Sequence, residues 1–100
     1  MIKRDQDHFL LSSADWNENL ALDLAKESNL VLSQAHWHRI HLWRELYFSY
    51  GRHAPTRVFI KALKSENSSA SMLELMHLFG ERPLYTLSFI AGLPKPPHCI

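Results

Sequence analysis

One hundred residues, 46% of them apolar and 11% aromatic, with a formal net charge of +1, describe one globular domain and exclude a disordered chain. That charge argues neither for nor against a nucleic-acid partner, the single cysteine cannot form an internal disulfide, and no run of about 18 apolar residues is present to span a membrane. No apolar run follows the basic pair Lys3 and Arg4, so a signal peptide is not expected and the cytoplasm is the default location.

Residues 1–8 are polar and read as a loose N-terminus. Phe9, Leu10 and Leu11 form a short apolar entry. Ser12 and Ser13 then offer N-caps, with Asp15 in the first turn. Trp16, Leu20, Leu24 and Ala25 recur at helical spacing and predict a first helix over about 14–28, stopped at Asn29. Ser33 caps a second helix over 34–50, with Trp37, Ile40, Arg44, Tyr47 and Tyr50 as one stripe, Trp43 and Leu46 beside it, and Gly51 as its stop. After the turn 51–56, Thr56 caps a third helix over about 57–64. Ser65 to Ser69 is a polar loop, and Gly80 ends a fourth helix over about 70–79. Pro83 fits the first turn of a fifth helix over about 83–91. The pattern predicts a mainly α class: a small orthogonal domain with a helical body at 9–91 and an extended C-terminal arm at 92–100.

The arm holds three of the five prolines and the only cysteine, Cys99. Proline lacks an N–H donor and fixes φ, so the strip cannot continue a helix and should be stiff and extended. From Gly92 to Cys99 such a strip spans about 20 Å. It reads either as a thiol on a tether or as a frayed tail with an incidental cysteine. A thiol is mostly protonated at neutral pH, and cations nearby raise its thiolate share. His98 and Lys95 are local candidates for that role, and Arg57 or His77 are candidates across the fold. A cysteine at an exposed chain end has nothing to enclose a substrate, which favours handing a group to another protein by thiol exchange over hydrolytic catalysis.

His36, His38 and His41 invite a metal, but no second cluster of Cys, Asp or Glu completes a zinc set, so no metal site is expected; nor is any cofactor. The histidines read as surface or half-buried residues. The second and third helices resemble a helix-turn-helix. Arg57, Lys61 and Lys64 alone do not make a basic face, so direct DNA binding is not expected.

The stretch Ile90-Ala91-Gly92-Leu93-Pro94-Lys95-Pro96-Pro97-His98-Cys99-Ile100 resembles the C-terminal signature of the DsrC/TusE family of sulfur carriers. Ser13 to Glu18, Ala35-His36-Trp37 with Arg44, Glu45 and Tyr47, and Pro55 to Leu63 resemble the family's first helix start, long helix and following segment. The resemblance implies a DsrC-like fold with a helix-turn-helix-like core and a sulfurtransferase acting as a persulfide carrier on Cys99. Arg57, Lys95 and His98 would support the arm or the anion. The implied partners are a TusBCD-type donor and an MnmA-type thiouridylase with its tRNA, in 2-thiolation of the wobble uridine; no membrane partner is implied. The DsrC branch has a second cysteine eleven residues before the terminal one. Here that position is Ser88, so the resemblance is to the single-cysteine, TusE-like kind.

Three departures accompany it. Too little chain precedes Phe9 for the family's full N-terminal β-hairpin, which should be reduced or absent. An arginine and a lysine that would flank a folded-back arm are replaced, at or near Met72 and at Tyr85. The alternatives are therefore a regulatory or scaffold paralogue that binds protein or DNA through its body, or a DsrC-like subunit associated with sulfite reductase.

Overall fold

The computed structural model describes residues 2–97. A 3-10 turn at Ser13–Asp15 leads into five helices: α1 (Glu18–Glu27), α2 (Gln34–Tyr50), α3 (Thr56–Glu66), α4 (Met72–Phe79) and α5 (Pro83–Ile90). No strand occurs among the described residues, and no described helix is long and apolar enough to cross a membrane.

Local chemistry sets the helix ends. The Ser33 hydroxyl accepts from the His36 N–H, and His36 Nδ1 accepts in return from the Ser33 N–H at 3.0 Å, which closes a capping box on α2. The other ring nitrogen, His36 Nε2, therefore donates to Leu78 O at 2.7 Å and ties α2 to the end of α4. His36 is buried, against the expectation of a surface or half-buried histidine. The Ser71 hydroxyl caps α4 through the Glu74 N–H, and Pro83 opens α5. Thr56 does not cap α3; Pro55 precedes it with no side-chain cap.

The predicted first helix is divided. Trp16 is extended (φ −79°, ψ 141°), and the Asn17 side chain caps α1 by accepting from the Leu20 N–H at 2.8 Å. The break lets Trp16 leave the helix path and reach the C-terminal end of α5. On α2 the buried residues are His36, Arg39, Ile40 and Trp43; of the predicted stripe Ile40 is buried, Trp37 and Tyr47 pack partly buried against the core, and Tyr50 is exposed. Aromatic residues lie on several sides of this helix, and periodicity alone does not select a face.

Helix α5 is the hub. It packs against α1, α2 and α4 and buries Pro83, Leu84, Leu87, Ser88 and Ile90. Around it lie Leu24, Ile40, Trp43, Phe59, Leu63, Leu75 and Phe79, each at most 2% exposed. Arg39 adds a 2.7 Å ion pair with Glu74 between α2 and α4.

Residues 2–8 are not loose. Arg4 and Leu10 form an isolated antiparallel bridge, and Asp5 Oδ1 accepts from the N–H groups of Asp7 and Phe9. Arg4 makes a bidentate pair with Glu27 at 2.8 and 3.0 Å, which holds the Glu27 carboxyl below its usual range. Phe9 meets Tyr85 and Phe89 edge-on at 5.1 and 5.3 Å. Polar composition suggested disorder there. An Asp-centred turn with one apolar anchor is what orders it, and it stands where a reduced hairpin was expected.

Candidate functional site

The site is built on the chain leaving α5. The last carbonyls of a helix lack intrahelical partners. Here two of them receive side-chain donors from distant elements: Trp16 Nε1 donates to Ile90 O at 2.8 Å, and Arg44 Nη1 donates to Ala91 O at 2.6 Å. The Arg44 guanidinium also lies 4.0 Å over the Trp16 ring, so the two donors brace each other. Burial lowers the Arg44 pKa, yet so basic a group stays charged.

Gly92 then turns the chain with φ +69°, a conformation that L side chains rarely adopt. It presses against Trp16 so closely that an added Cβ would lie 2.4 Å from Trp16 Cδ1. The Leu93 N–H donates to Ser88 O at 3.0 Å, and the Leu93 side chain is fully buried in the core. Pro94 O accepts from His53 Nε2 at 2.7 Å, Lys95 Nζ pairs with Asp7 Oδ2 at 3.1 Å, and Pro96 is buried.

The tether reading changes accordingly. An extended strip rooted at Gly92 would reach about 20 Å, but the strip is fastened to the body as far as Pro96. Three residue steps separate Pro96 from Cys99 in sequence, a span of about 10 Å when fully extended. The docking is driven by Leu93, an apolar side chain that gains more from the core than a free strip gains from water.

A cavity of about 190 Å³ opens beside the strip. Pro96 and Pro97 form one wall, and Trp43, Leu84 and the 52–56 turn with Arg52, His53 and Thr56 form the other. Its lining is mostly apolar, with Arg52 as the cation in its wall.

Among the residues singled out from the sequence, Cys99 and His98 lie outside the described residues. Lys95 is close at hand but is tied to Asp7 of the N-terminal turn. Arg57 is exposed on the first turn of α3 and does not line the cavity. Tyr85, at one of the positions where the family resemblance leads one to expect a cation, packs on Phe9 and lies under the Arg82 guanidinium at 3.9 Å. Its ring secures the N-terminal turn. His38 and His41 face Glu66 and Glu18, and no three metal-binding side chains converge among the described residues.

Arg52 and His53 carry no signal in the sequence that marks them for a role. Their turn connects two helices and holds no motif, so only the packing of the strip onto it brings them forward. His53 is stacked on Trp43 at 5.5 Å and meets Tyr47 at 5.1 Å. Burial lowers its pKa from the ordinary 6.5, and the hydrogen bond to Pro94 partly opposes that. Unfolded, His53 takes up its proton near the ordinary value; folded, only at lower pH. Between those values the unfolded state binds more protons, so stability falls as pH drops through 6.5. Denaturant titrations of wild type and His53→Gln at about pH 8 and about pH 5 should show a larger acid loss in wild type; equal losses would remove His53 as the cause.

The geometry defines a class: a helical body that clamps the root of a short proline-rich tail, with the chain's one thiol three steps beyond the last buried proline. The family model described as "DsrC like protein" matches residues 1–100, and the chain belongs to that family. It is similar to the protein named Sulfurtransferase TusE from Buchnera aphidicola subsp. Acyrthosiphon pisum, 35% identical, with 99% of this chain and 89% of the relative covered. It is also 31% identical to Sulfurtransferase TusE of Escherichia coli strain K12, covering 99% of this chain and 93% of that one. Among solved structures, the oxidised γ-subunit of dissimilatory sulfite reductase (DsrC) from Archaeoglobus fulgidus superposes with a TM-score of 0.88 at 31% identity, covering 99% and 92% of the two chains. DsrC of Allochromatium vinosum gives 0.85 at 32% identity, covering 99% and 90%.

Proposed function

We propose that this protein is a sulfur carrier. The Cys99 thiolate attacks the outer sulfur of a donor persulfide. A new S–S bond forms as the donor's S–S bond breaks, and the donor leaves as a thiolate while Cys99 holds the persulfide. An acceptor thiolate repeats the exchange and frees Cys99, with no net oxidation or reduction. The observation that carries this reading is family membership along the whole chain, with relatives named sulfurtransferases, in a protein that has one thiol.

The clamped tail suits the task. The body offers a docking surface to other proteins, and only the chain end needs to enter a partner's site. His98 and Arg57, with Arg52 in the cavity wall, favour the anionic forms of the sulfur. Lys95 serves the tail through Asp7. By resemblance, the donor is of TusBCD type, the acceptor an MnmA-type thiouridylase, the product 2-thiouridine at the tRNA wobble position, and the setting the cytoplasm. The protein acts as a transferase in relay and turns over no small substrate of its own.

Mass spectrometry after incubation with a persulfide donor tests the reading. Wild type is expected to gain the mass of one sulfur on Cys99 and to lose it to an acceptor thiol, whereas Cys99→Ser gains nothing and keeps the wild-type circular dichroism. A wild-type chain that stays unloaded under conditions that load an Escherichia coli relative rules the reading out.

A further inference from the structure

The strip from Pro94 to Pro97 contains three prolines, so Lys95 brings its only backbone N–H. Such a segment must be held largely through its carbonyls and side chains. Leu93 and Pro96 are buried and Lys95 pairs with Asp7, which holds the strip by its side chains, but none of these bonds a carbonyl between them. That is the part His53 plays. A carbonyl oxygen only accepts, so His53 Nε2 carries the hydrogen that it gives to Pro94 O. Nδ1 is then bare; it is enclosed and has no partner among the described residues. The ring is locked between Trp43, nearly parallel at 15°, and Tyr47, at 63°. Turning it away from Pro94 would cost both contacts.

The support extends one layer further. Trp43 is itself oriented by its Nε1 hydrogen bond of 2.9 Å to the buried Ser88 hydroxyl. Ser88 thus orients Trp43, Trp43 orients His53, and His53 holds the strip.

We propose that His53 is a positioning residue for the sulfur-bearing tail: by holding the Pro94 carbonyl it sets the direction in which the last residues leave the body. Its importance for sulfur transfer rests on the carrier reading, but the positioning itself is measurable without any sulfur. Cys99 is the only cysteine in the chain, so a nitroxide label goes to the tail alone. In His53→Ala the label is expected to rotate at least about twofold faster on the nanosecond scale. His53→Gln, whose amide can donate at a similar reach, should restore most of the wild-type line shape. Unloading of a persulfide from Cys99 to an acceptor protein should slow about tenfold in His53→Ala, the factor for one lost hydrogen bond, and recover in His53→Gln. Loading from a small persulfide donor should stay unchanged.

Identical label motion in wild type and His53→Ala overturns the proposal. So does equal loss in the Ala and Gln variants, which would assign the effect to ring packing rather than to the hydrogen bond. If label motion changes as expected while Cys99 takes up no sulfur at all, the carrier reading fails and the positioning role stands.

Discussion

Gly92→Ala is expected to lower the unfolding free energy by about 2–5 kcal/mol, measured by denaturant titration. Two costs combine. The position has φ +69°, where a Cβ costs roughly 1–2 kcal/mol. The new methyl would also sit 2.4 Å from Trp16 Cδ1 and 2.8 Å from Trp16 Cβ and Cγ, so the indole or the tail must shift. Overpacking of this kind costs about 1–3 kcal/mol. Trp16 cannot yield easily, because its N–H holds Ile90 O and its ring carries Arg44. The indole's share of the second cost is isolated in a cycle with Trp16→Ala, which removes Cδ1 and Cγ and leaves Cβ. In that background Gly92→Ala should keep the backbone part, roughly 1–2 kcal/mol, and the 2.8 Å approach to the Cβ of residue 16, and lose the part due to the indole carbons. An equal penalty in both backgrounds would show that the close approach of the indole is not the cause.

The same contacts explain which parts of this protein could be read from its sequence. Helices were legible where short-range signals agree: Ser33 caps within three residues, Gly51 and Gly80 stop within one, and Pro83 starts α5, whereas the Ser71 cap places the start of α4 at Met72 and not at 70. The site is assembled from pairs far apart along the chain. Trp16 and Ile90 are 74 residues apart, Arg44 and Ala91 are 47, and His53 and Pro94 are 41. No spacing rule reaches that far. Trp16 looked like one more apolar helix position, and only its bond to α5 accounts for the break before α1. The N-terminal turn escaped for a related reason: its anchor, Phe9, meets Tyr85 and Phe89, which belong to the other end of the chain. The cysteine and its proline-rich setting were visible at once, because that information is local.

The root of the tail is attached by the N-terminal turn through Asp7, by the segment before α1 through Trp16, by α2 through Arg44, and by the turn after α2 through His53. Four separate elements converge on residues 90–95. Ordering a proline-rich strip costs less entropy than ordering a flexible one, since much of it is already extended when unfolded. The polar contacts therefore supply direction, while the buried Leu93 and Pro96 supply apolar contact.

The largest effect is expected at Trp43, where truncation to alanine should cost about 3–5 kcal/mol. The indole is 2% exposed, packs on Phe59 at 4.7 Å and stacks on His53, so its removal empties the space between α2, α3 and α5 and takes away the wall that locks the His53 ring. A finer test isolates the polar part. Ser88→Ala leaves the Trp43 N–H buried and unsatisfied, at a cost of about 1–3 kcal/mol, and Trp43→Phe strands the Ser88 hydroxyl at a similar cost. With both changes made, neither group is left wanting a partner, so the double variant should be more stable than the sum of the two losses predicts, by about 1–2 kcal/mol. Additive losses in that cycle would mean that the indole acts through its bulk alone. Ser88 would then be a small residue in a tight place, with no part in orienting Trp43.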